Sequence, residues 1–361
     1  MSFLPKVRTA AVHASPVFLD KQATAEKAVG LIAEAARAGA ELVVFPESYI
    51  PAFPVWAALS APIYNHDLFA SMVENSLMVP GPEIALIAAE ARRRRVFVSM
   101  GISERSPISV GCIWNSNLLI DDEGRLLNHH RKLVPTFFEK LIWAPGDGAG
   151  LVVSDTRLGR IGALICGENT NPLARYALMA QGEQIHISTW PPVWPTRNPQ
   201  AGGNYDNVAA NRTRAAAHSF EAKAFTIICA GYMDKRMRDF LVDRQPEAAA
   251  ILDNTPRAAS LVVDPTGAQV GNTLQNDEGI VYADLDLNAC IEPKQFHDVV
   301  GYYNRFDVFD LKVTRSRIQP ATLIDAERPA APDLIDTARH SESKEARAAA
   351  PTAIAPEATA S

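Results

Sequence analysis

Short apolar segments alternate with helical segments, and this alternation limits the possible folds of the chain more than any other sequence feature. Residues 7–13 and 41–45 are apolar or β-rich, and residues 22–38 between them carry alanine and aliphatic side chains at helical spacing. A helical pattern over residues 83–95 followed by an apolar run over residues 96–101 repeats the arrangement. The sequence therefore predicts an α/β protein with helices layered on a sheet.

Two predicted hairpins have similar turns. The first spans residues 117–129 around Asp121-Asp122-Glu123-Gly124, and the second spans residues 260–270 around Asp264-Pro265-Thr266-Gly267. The repetition predicts two halves that share one plan, while length alone leaves the number of domains open.

Composition excludes several classes of function. The chain has 361 residues, with 35 basic against 41 acidic side chains and a net charge of −6, so nucleic acid and anionic membranes are not expected partners. Its four cysteines show no metal-ligand spacing, which argues against a disulfide scaffold or a zinc knuckle. No apolar run approaches the ~20 residues that cross a bilayer, and the N-terminus lacks a signal-peptide pattern. We therefore expect a cytoplasmic protein.

The composition changes after about residue 325 to alanine with proline, serine, threonine and charged residues. Such a segment buries too little apolar surface to offset its ordering entropy. We expect one folded domain over residues 1–325 and a mobile tail over residues 326–361, with a role in assembly as the alternative for the tail.

Cys166 occupies a position typical of a nucleophile. It follows the apolar run 161–165 and precedes a helix that begins near Pro172, so its side chain should project from a sharp strand-to-helix turn. The amides of Gly167 and Glu168 are then placed to meet a developing negative charge. A buried structural thiol is the alternative interpretation.

Three charged residues follow other predicted strands. Glu47 ends the apolar run 42–46, and because strand carboxyl ends converge in such sheets, it is expected to lie near Cys166. Lys132 follows the first hairpin, and Glu139 lies seven residues later among aromatic residues. Taken singly, each of the three also fits an exposed loop, surface or rim charge.

Three motifs resemble those of the nitrilase superfamily of carbon-nitrogen hydrolases in order and approximate separation. They are Val44-Phe45-Pro46-Glu47, His130-Arg131-Lys132-Leu133 and Leu164-Ile165-Cys166-Gly167-Glu168-Asn169. The segments 132–136 and 171–178 are similar to the nitrilase branch, and the resemblance covers roughly residues 5–315. It implies a four-layer αββα sandwich of two pseudo-symmetric halves.

The resemblance also implies a role for each site residue. Glu47 is the base, Lys132 the cationic stabiliser, Cys166 the nucleophile and Glu139 an accessory carboxylate. Nitrilases usually carry tryptophan where this chain has Gly167, which leaves substrate range and activity class open.

The implied reaction is hydrolysis of an organic nitrile to a carboxylic acid and ammonia through a cysteine thioimidate and thioester. Water is the second reactant, and no metal, nucleotide or organic cofactor is needed. His129 and His130 are expected to act as hydrogen-bonding supports. The resemblance implies a homo-oligomer, dimer-based or extended into a spiral. An amidase or carbamoylase of the same superfamily is the alternative, and a catalytically silent binding subunit is a second.

Aromatic residues near the predicted site indicate the substrate class. Phe53 and Trp56 follow Glu47, while Trp190 and Trp194 follow the strand after the nucleophile helix. With Gly167, these residues are the predicted substrate-binding set. Rigid apolar walls favour an aryl or arylaliphatic nitrile over cyanide or a charged substrate, although core or subunit packing explains such tryptophans equally well.

Overall fold

The computed structural model describes residues 3–322 and 324, and it contains the predicted alternation of strands and helices. The strands are β1 (Lys6–His13), β2 (Leu42–Val44), β3 (Phe97–Arg105), β4 (Ile113–Ile120), β5 (Leu126–Arg131), β6 (Ser154–Thr156), β7 (Gly159–Ile165), β8 (Ile185–Trp190), β9 (Phe225–Ala230), β10 (Ser260–Val263), β11 (Gln269–Leu274) and β12 (Gly279–Asp286). The helices are α1 (Lys21–Arg37), α2 (His66–Asn75), α3 (Pro82–Arg94), α4 (Pro172–Met179), α5 (Asn207–Ala222), α6 (Lys235–Arg244) and α7 (Ala248–Asn254).

These elements all belong to one compact unit that ends at Ile318, and a second unit begins at Gln319. The predicted tail over residues 326–361 lies outside the described residues. Every helix in the described part of the chain is too short or too polar to span a bilayer.

The strands form two six-stranded sheets with the same plan. The first has the order β12-β1-β2-β3-β4-β5, and the second has the order β6-β7-β8-β9-β10-β11. In each sheet three parallel strands lie beside an antiparallel hairpin on one side and a single antiparallel strand on the other. This correspondence confirms the two pseudo-symmetric halves.

Side-chain alternation in the central strands packs the two sheets face to face. In β2, Leu42 and Val44 join a core cluster with Ile161 and Ile185 of the second sheet, whereas Val43 between them packs with the α1 and α3 side chains. Because successive strand residues point to opposite faces, one face of β2 meets the other sheet and the opposite face meets the helices. Leu164 packs in the same way with α4 on the far side of the second sheet. The four-layer αββα sandwich is confirmed.

Helix caps fix the residues at which the helices that follow β7 and β8 begin. Asn171 accepts hydrogen bonds from the amides of Leu173 and Ala174, and Pro172 occupies the first turn of α4. Asp206 caps α5 by accepting from Val208 and Ala209. Helix α4 therefore begins only after the chain has made a short 3-10 turn over Cys166–Thr170.

Candidate active site

The four predicted catalytic side chains lie together where strands of both sheets end. Glu47 follows β2, Lys132 directly follows β5, and Cys166 directly follows β7. Lys132 Nζ lies 2.7 Å from Glu47 Oε1 and 2.5 Å from Glu139 Oε2. One oxygen of Glu47, one of Glu139 and the Cys166 sulfur all lie within 4.8 Å of one another. The fold thus brings together a thiol, an ammonium and two carboxylates from three segments that are far apart in the sequence.

The Cys166 turn has an unusual backbone conformation. Its φ is +50°, in the left-handed region that a residue with a side chain seldom occupies. The Asn169 side-chain amide donates to the Cys166 carbonyl at 3.0 Å, and Glu168 Oε2 accepts from the Ile165 amide at 2.8 Å. The Gly167 amide donates toward the Cys166 sulfur. These bonds on both sides of the nucleophile hold its strained conformation.

Glu168 also ties this turn to the segment that carries Lys132. Its Oε1 accepts from the Leu133 amide at 2.5 Å, and its Oε2 lies 2.9 Å from His130 Nε2. Burial opposes the carboxylate charge, but His130 and the backbone amides outweigh it and lower the pKa of Glu168. His129 makes a separate contact, 2.7 Å from a Glu104 oxygen.

Burial sets the electrostatics of the catalytic cluster. It raises the pKa of the Cys166 thiol well above its ordinary value, with Glu47 adding to the shift. It also raises the pKa of Glu47 to about 7, against the opposing charge of Lys132. For Lys132, burial opposes the charge, but Cys166 and the two carboxylates outweigh it and raise the pKa well above the ordinary value. The ammonium is therefore permanent and the thiol is neutral at rest, while Glu47 is the group in this cluster whose protonation changes near neutral pH.

Two carboxylate oxygens in this cluster have no hydrogen-bond partner within the described part of the chain. They are Glu47 Oε2 and Glu139 Oε1, and both are buried. Glu47 Oε1, in contrast, accepts from both Lys132 and the Asn115 side-chain amide, the latter at 2.7 Å. Glu47 is therefore anchored through one oxygen and has the other available for a proton.

Sequence reasoning missed Asn115, which lies in β4 and is 1% exposed. A signal was present, because Asn115, Ser116 and Asn117 form a polar run in the middle of an otherwise apolar strand. Buried polar side chains need partners, and such a run indicates a polar site on at least one face of the sheet.

A cavity of about 410 Å³ opens onto Cys166. Gly167, Trp190 and Trp194 from the predicted substrate-binding set line it, together with two aromatic residues that sequence analysis did not single out, Phe137 and Tyr205. The Trp194 ring lies 6.3 Å from Phe137 and 6.4 Å from Tyr205, measured between centroids. One wall of the cavity is thus a continuous aromatic surface.

Phe53 and Trp56, also predicted to bind substrate, lie elsewhere. They are 2% and 3% exposed and belong to an apolar core cluster, with the Phe53 ring 6.2 Å from Phe138 and 5.7 Å from Trp143. The chain after Glu47 turns into a 3-10 segment, Val55–Ala58, that packs beneath the segment carrying Glu139. These two rings pack beneath the site and do not line this cavity.

A second group of potential metal ligands lies behind the nucleophile turn. The Glu183 carboxylate contacts His186 Nδ1 at 2.8 Å and His218 Nε2 at 2.7 Å. Burial opposes the charge, but the two histidines lower the pKa of Glu183 to about 2. His186 Nε2 in turn lies 2.8 Å from Asn169 Oδ1. Both carboxylate oxygens thus have imidazole partners, and the group braces the residue that holds the Cys166 carbonyl.

Comparison with known proteins agrees with this geometry. The profile of the family described as "Carbon-nitrogen hydrolase" matches residues 8–295. An aliphatic nitrilase of Rhodococcus rhodochrous is 33% identical, covering 87% of this chain and 84% of its own length. An arylacetonitrilase of Aspergillus kawachii is 35% identical, covering 86% of this chain and 93% of its own.

Among solved structures, the fold is similar to that of a carbon-nitrogen hydrolase from Helicobacter pylori G27. The TM-score is 0.63 at 19% identity, with 84% of this chain and 97% of the other covered. The chain therefore belongs to the carbon-nitrogen hydrolase family, within the nitrilase superfamily that its motifs predict, and is a hydrolase that acts on carbon–nitrogen bonds.

Proposed function

We propose that the protein is a nitrilase that converts an organic nitrile and two waters into a carboxylic acid and ammonia. The observation that carries this proposal is the buried cluster of Cys166, Lys132, Glu47 and Glu139, which meets an apolar cavity at the cysteine. Similarity to relatives named nitrilases over most of the chain supports the same reaction class.

In the first step, the Cys166 sulfur bonds to the nitrile carbon as its proton moves to Glu47. Burial keeps the thiol neutral at rest, so attack on a weak electrophile requires a base within reach. The unpartnered Oε2 of Glu47 suits that role. The same proton then passes to the nitrile nitrogen, which leaves a neutral thioimidate.

Two waters complete the reaction. The first adds to the thioimidate carbon, and cleavage of the C–N bond releases ammonia and leaves a thioester. The second adds to the thioester carbonyl, and cleavage of the C–S bond releases the acid and restores the Cys166 thiol. Lys132 and the Gly167 amide stabilise negative charge in the tetrahedral species, at about 3 to 4 kcal/mol per donor in comparable sites. Glu139 holds the ammonium in place.

The aromatic wall supports an aryl or arylaliphatic substrate. Trp190, Trp194, Phe137 and Tyr205 offer flat apolar surfaces in a cavity large enough for a single ring. An arylacetonitrile should therefore be hydrolysed faster than a short aliphatic nitrile by the purified enzyme. The opposite ranking would refute the assignment of the wall to substrate binding.

The experiment that tests the reaction class is ammonia release from matched nitriles and amides. We expect phenylacetonitrile to yield ammonia and phenylacetate, and the Cys166→Ala variant to yield neither while its unfolding temperature stays close to that of the wild type. Faster release from phenylacetamide than from phenylacetonitrile would instead indicate an amidase. The matched cysteine control is Cys112→Ala, which removes a thiol in the loop between β3 and β4 and should leave the rate unchanged.

We also propose that the protein is a homo-oligomer built on a dimer, which can extend into a spiral. The helices that flank the nucleophile turn support this, because Leu173 of α4 and Phe220 of α5 are 63% and 47% exposed. Light scattering should give a mass of at least two chains, and Leu173→Glu should lower it. Val110→Glu, at an exposed loop position, is the control and should leave the mass unchanged. A monomer at micromolar concentration would contradict the proposal.

A further inference from the structure

A half-buried arginine lines the same cavity as Cys166 and has no acidic partner within the described part of the chain. Arg214 lies in α5, and no carboxylate oxygen among residues 3–322 and 324 comes within 4.0 Å of its guanidinium. A cation at such a position loses part of its hydration, so it is unfavourable unless a counter-charge or a bound ligand compensates it.

Neutral neighbours hold this guanidinium in a fixed orientation. Arg214 Nε donates to Thr170 Oγ1 at 2.8 Å, and Nη1 lies 3.4 Å from Asn211 Oδ1. The guanidinium carbon lies 5.3 Å from the centre of the Trp190 ring. Burial raises the pKa of the Tyr205 hydroxyl, and the nearby Arg214 opposes that shift. The planar donor group is thus positioned at the aromatic wall without being neutralised.

The charged side chains among the described residues that line the cavity carry a net positive charge. The one acidic residue among the lining residues described, Glu168, is already bonded to His130 and to the amides of Leu133 and Ile165. Lys140 adds a second cation, exposed at the edge of the cavity. An anionic group that entered would therefore meet uncompensated positive charge.

We propose that Arg214 binds a carboxylate carried by the substrate at a point remote from the nitrile carbon. The preferred substrate is then an aryl or arylaliphatic nitrile with a carboxylate substituent, which replaces the sequence-based expectation of an uncharged compound. Arginine suits this task because its fork of donors matches the two oxygens of a carboxylate. The inference rests on the proposed function, since it assigns specificity to the same cavity.

The test compares 4-(cyanomethyl)benzoate with 4-methylphenylacetonitrile, which has the same ring and nitrile but no charge. We expect the wild type to favour the carboxylate in kcat/KM, and Arg214→Gln to reduce that preference about ten- to a hundredfold, mainly through KM, as expected for loss of a charged hydrogen bond. Arg214→Lys should retain part of the preference. The control is Arg212→Gln, which removes an exposed arginine of the same helix that does not line the cavity and should change the preference less than about threefold.

Two results would overturn the inference. The first is equal kcat/KM for the two nitriles in the wild type, and the second is an equal loss for both in Arg214→Gln, which would indicate a structural role. If the wild type hydrolyses no nitrile, the proposed function fails, and the carboxylate site is then judged by calorimetric titration with 4-(carboxymethyl)benzoate. Binding that weakens in Arg214→Gln supports the site, and binding that is absent or unchanged in the variant overturns it.

Discussion

The position of Gly167 allows a specific prediction about substitutions beside the nucleophile. A Cβ atom at residue 167 would lie 2.7 Å from Thr136 Oγ1 and 3.5 Å from Thr136 Cγ2, whereas ordinary contact begins near 3.4 Å. The φ of Gly167 lies outside the left-handed region, so the cost of a side chain there is steric. Thr136 must therefore move if residue 167 gains a side chain.

Movement of Thr136 would disturb the accessory carboxylate. The Thr136 amide donates to Glu139 Oε2 at 2.9 Å, and that same oxygen contacts Lys132. Overpacking of this kind costs about 1 to 3 kcal/mol, and the lower end applies because the crowded atom is the end of a rotatable side chain. If this cost falls on the transition state, Gly167→Ala should lower kcat/KM about five- to tenfold.

The assay is a double-mutant cycle on phenylacetonitrile hydrolysis. Thr136→Ala alone removes the crowded hydroxyl and should change kcat/KM less than about threefold, while Gly167→Ala with Thr136→Ala should recover most of the loss. Gly167→Trp should lower kcat/KM further, and should lower it more for bulky nitriles than for small ones. A Gly167→Ala variant as active as the wild type, or a double variant no better than the single one, would refute the steric argument. Unchanged relative rates for large and small nitriles in Gly167→Trp would refute the predicted narrowing.

Three further predictions concern charge. Because burial raises the pKa of Glu47 to about 7, and the base must be ionised, kcat/KM should fall about tenfold per pH unit below pH 7 and level off above it; a flat profile between pH 5 and 8 would contradict this. Lys132→Met leaves two buried carboxylates without their cation, so at pH 8 we expect no activity and an unfolding free energy lower by about 3 to 5 kcal/mol. Lys140→Met removes an exposed lysine and should change the unfolding free energy little. Burial lowers the pKa of His218 from 6.5 to about 4, so between these pH values the unfolded chain binds the extra proton. The free energy of unfolding should therefore decrease as the pH falls through this range, by up to about 1.4 kcal/mol per pH unit. His218→Gln should reduce this pH dependence in denaturant titrations, and an unchanged pH dependence would contradict the role of His218.

The sequence carried enough information for the layers and for the catalytic cluster. Apolar runs, turn residues and a proline at a helix start are local signals, so β7, the start of α4 and the hairpins were predicted from short segments. Glu47 and Cys166 were predicted to be neighbours because strand carboxyl ends converge, a property of the sheet that does not depend on loop conformation. The resemblance to the nitrilase superfamily added Lys132 and Glu139 to the predicted catalytic cluster.

The cavity walls could not be predicted in the same way. Phe53 and Trp56 follow Glu47 by six and nine residues, and Trp194 follows the end of β8 by four. The direction that the chain takes after a strand depends on contacts with distant segments such as Phe138. Arg214 stands among the charged residues of an amphipathic helix, where most arginines are solvated. We single it out because no carboxylate of the described residues lies near it, and only the three-dimensional structure reveals this.

The most direct test of the central claim is the mass of the Cys166 peptide after rapid acid quench of the enzyme mixed with phenylacetonitrile. We expect a transient adduct on this cysteine, with the mass of the thioimidate or the phenylacetyl thioester, that appears and decays at rates compatible with turnover. Full turnover with Cys166 unmodified at every time point, or undiminished ammonia release by Cys166→Ala, would contradict it.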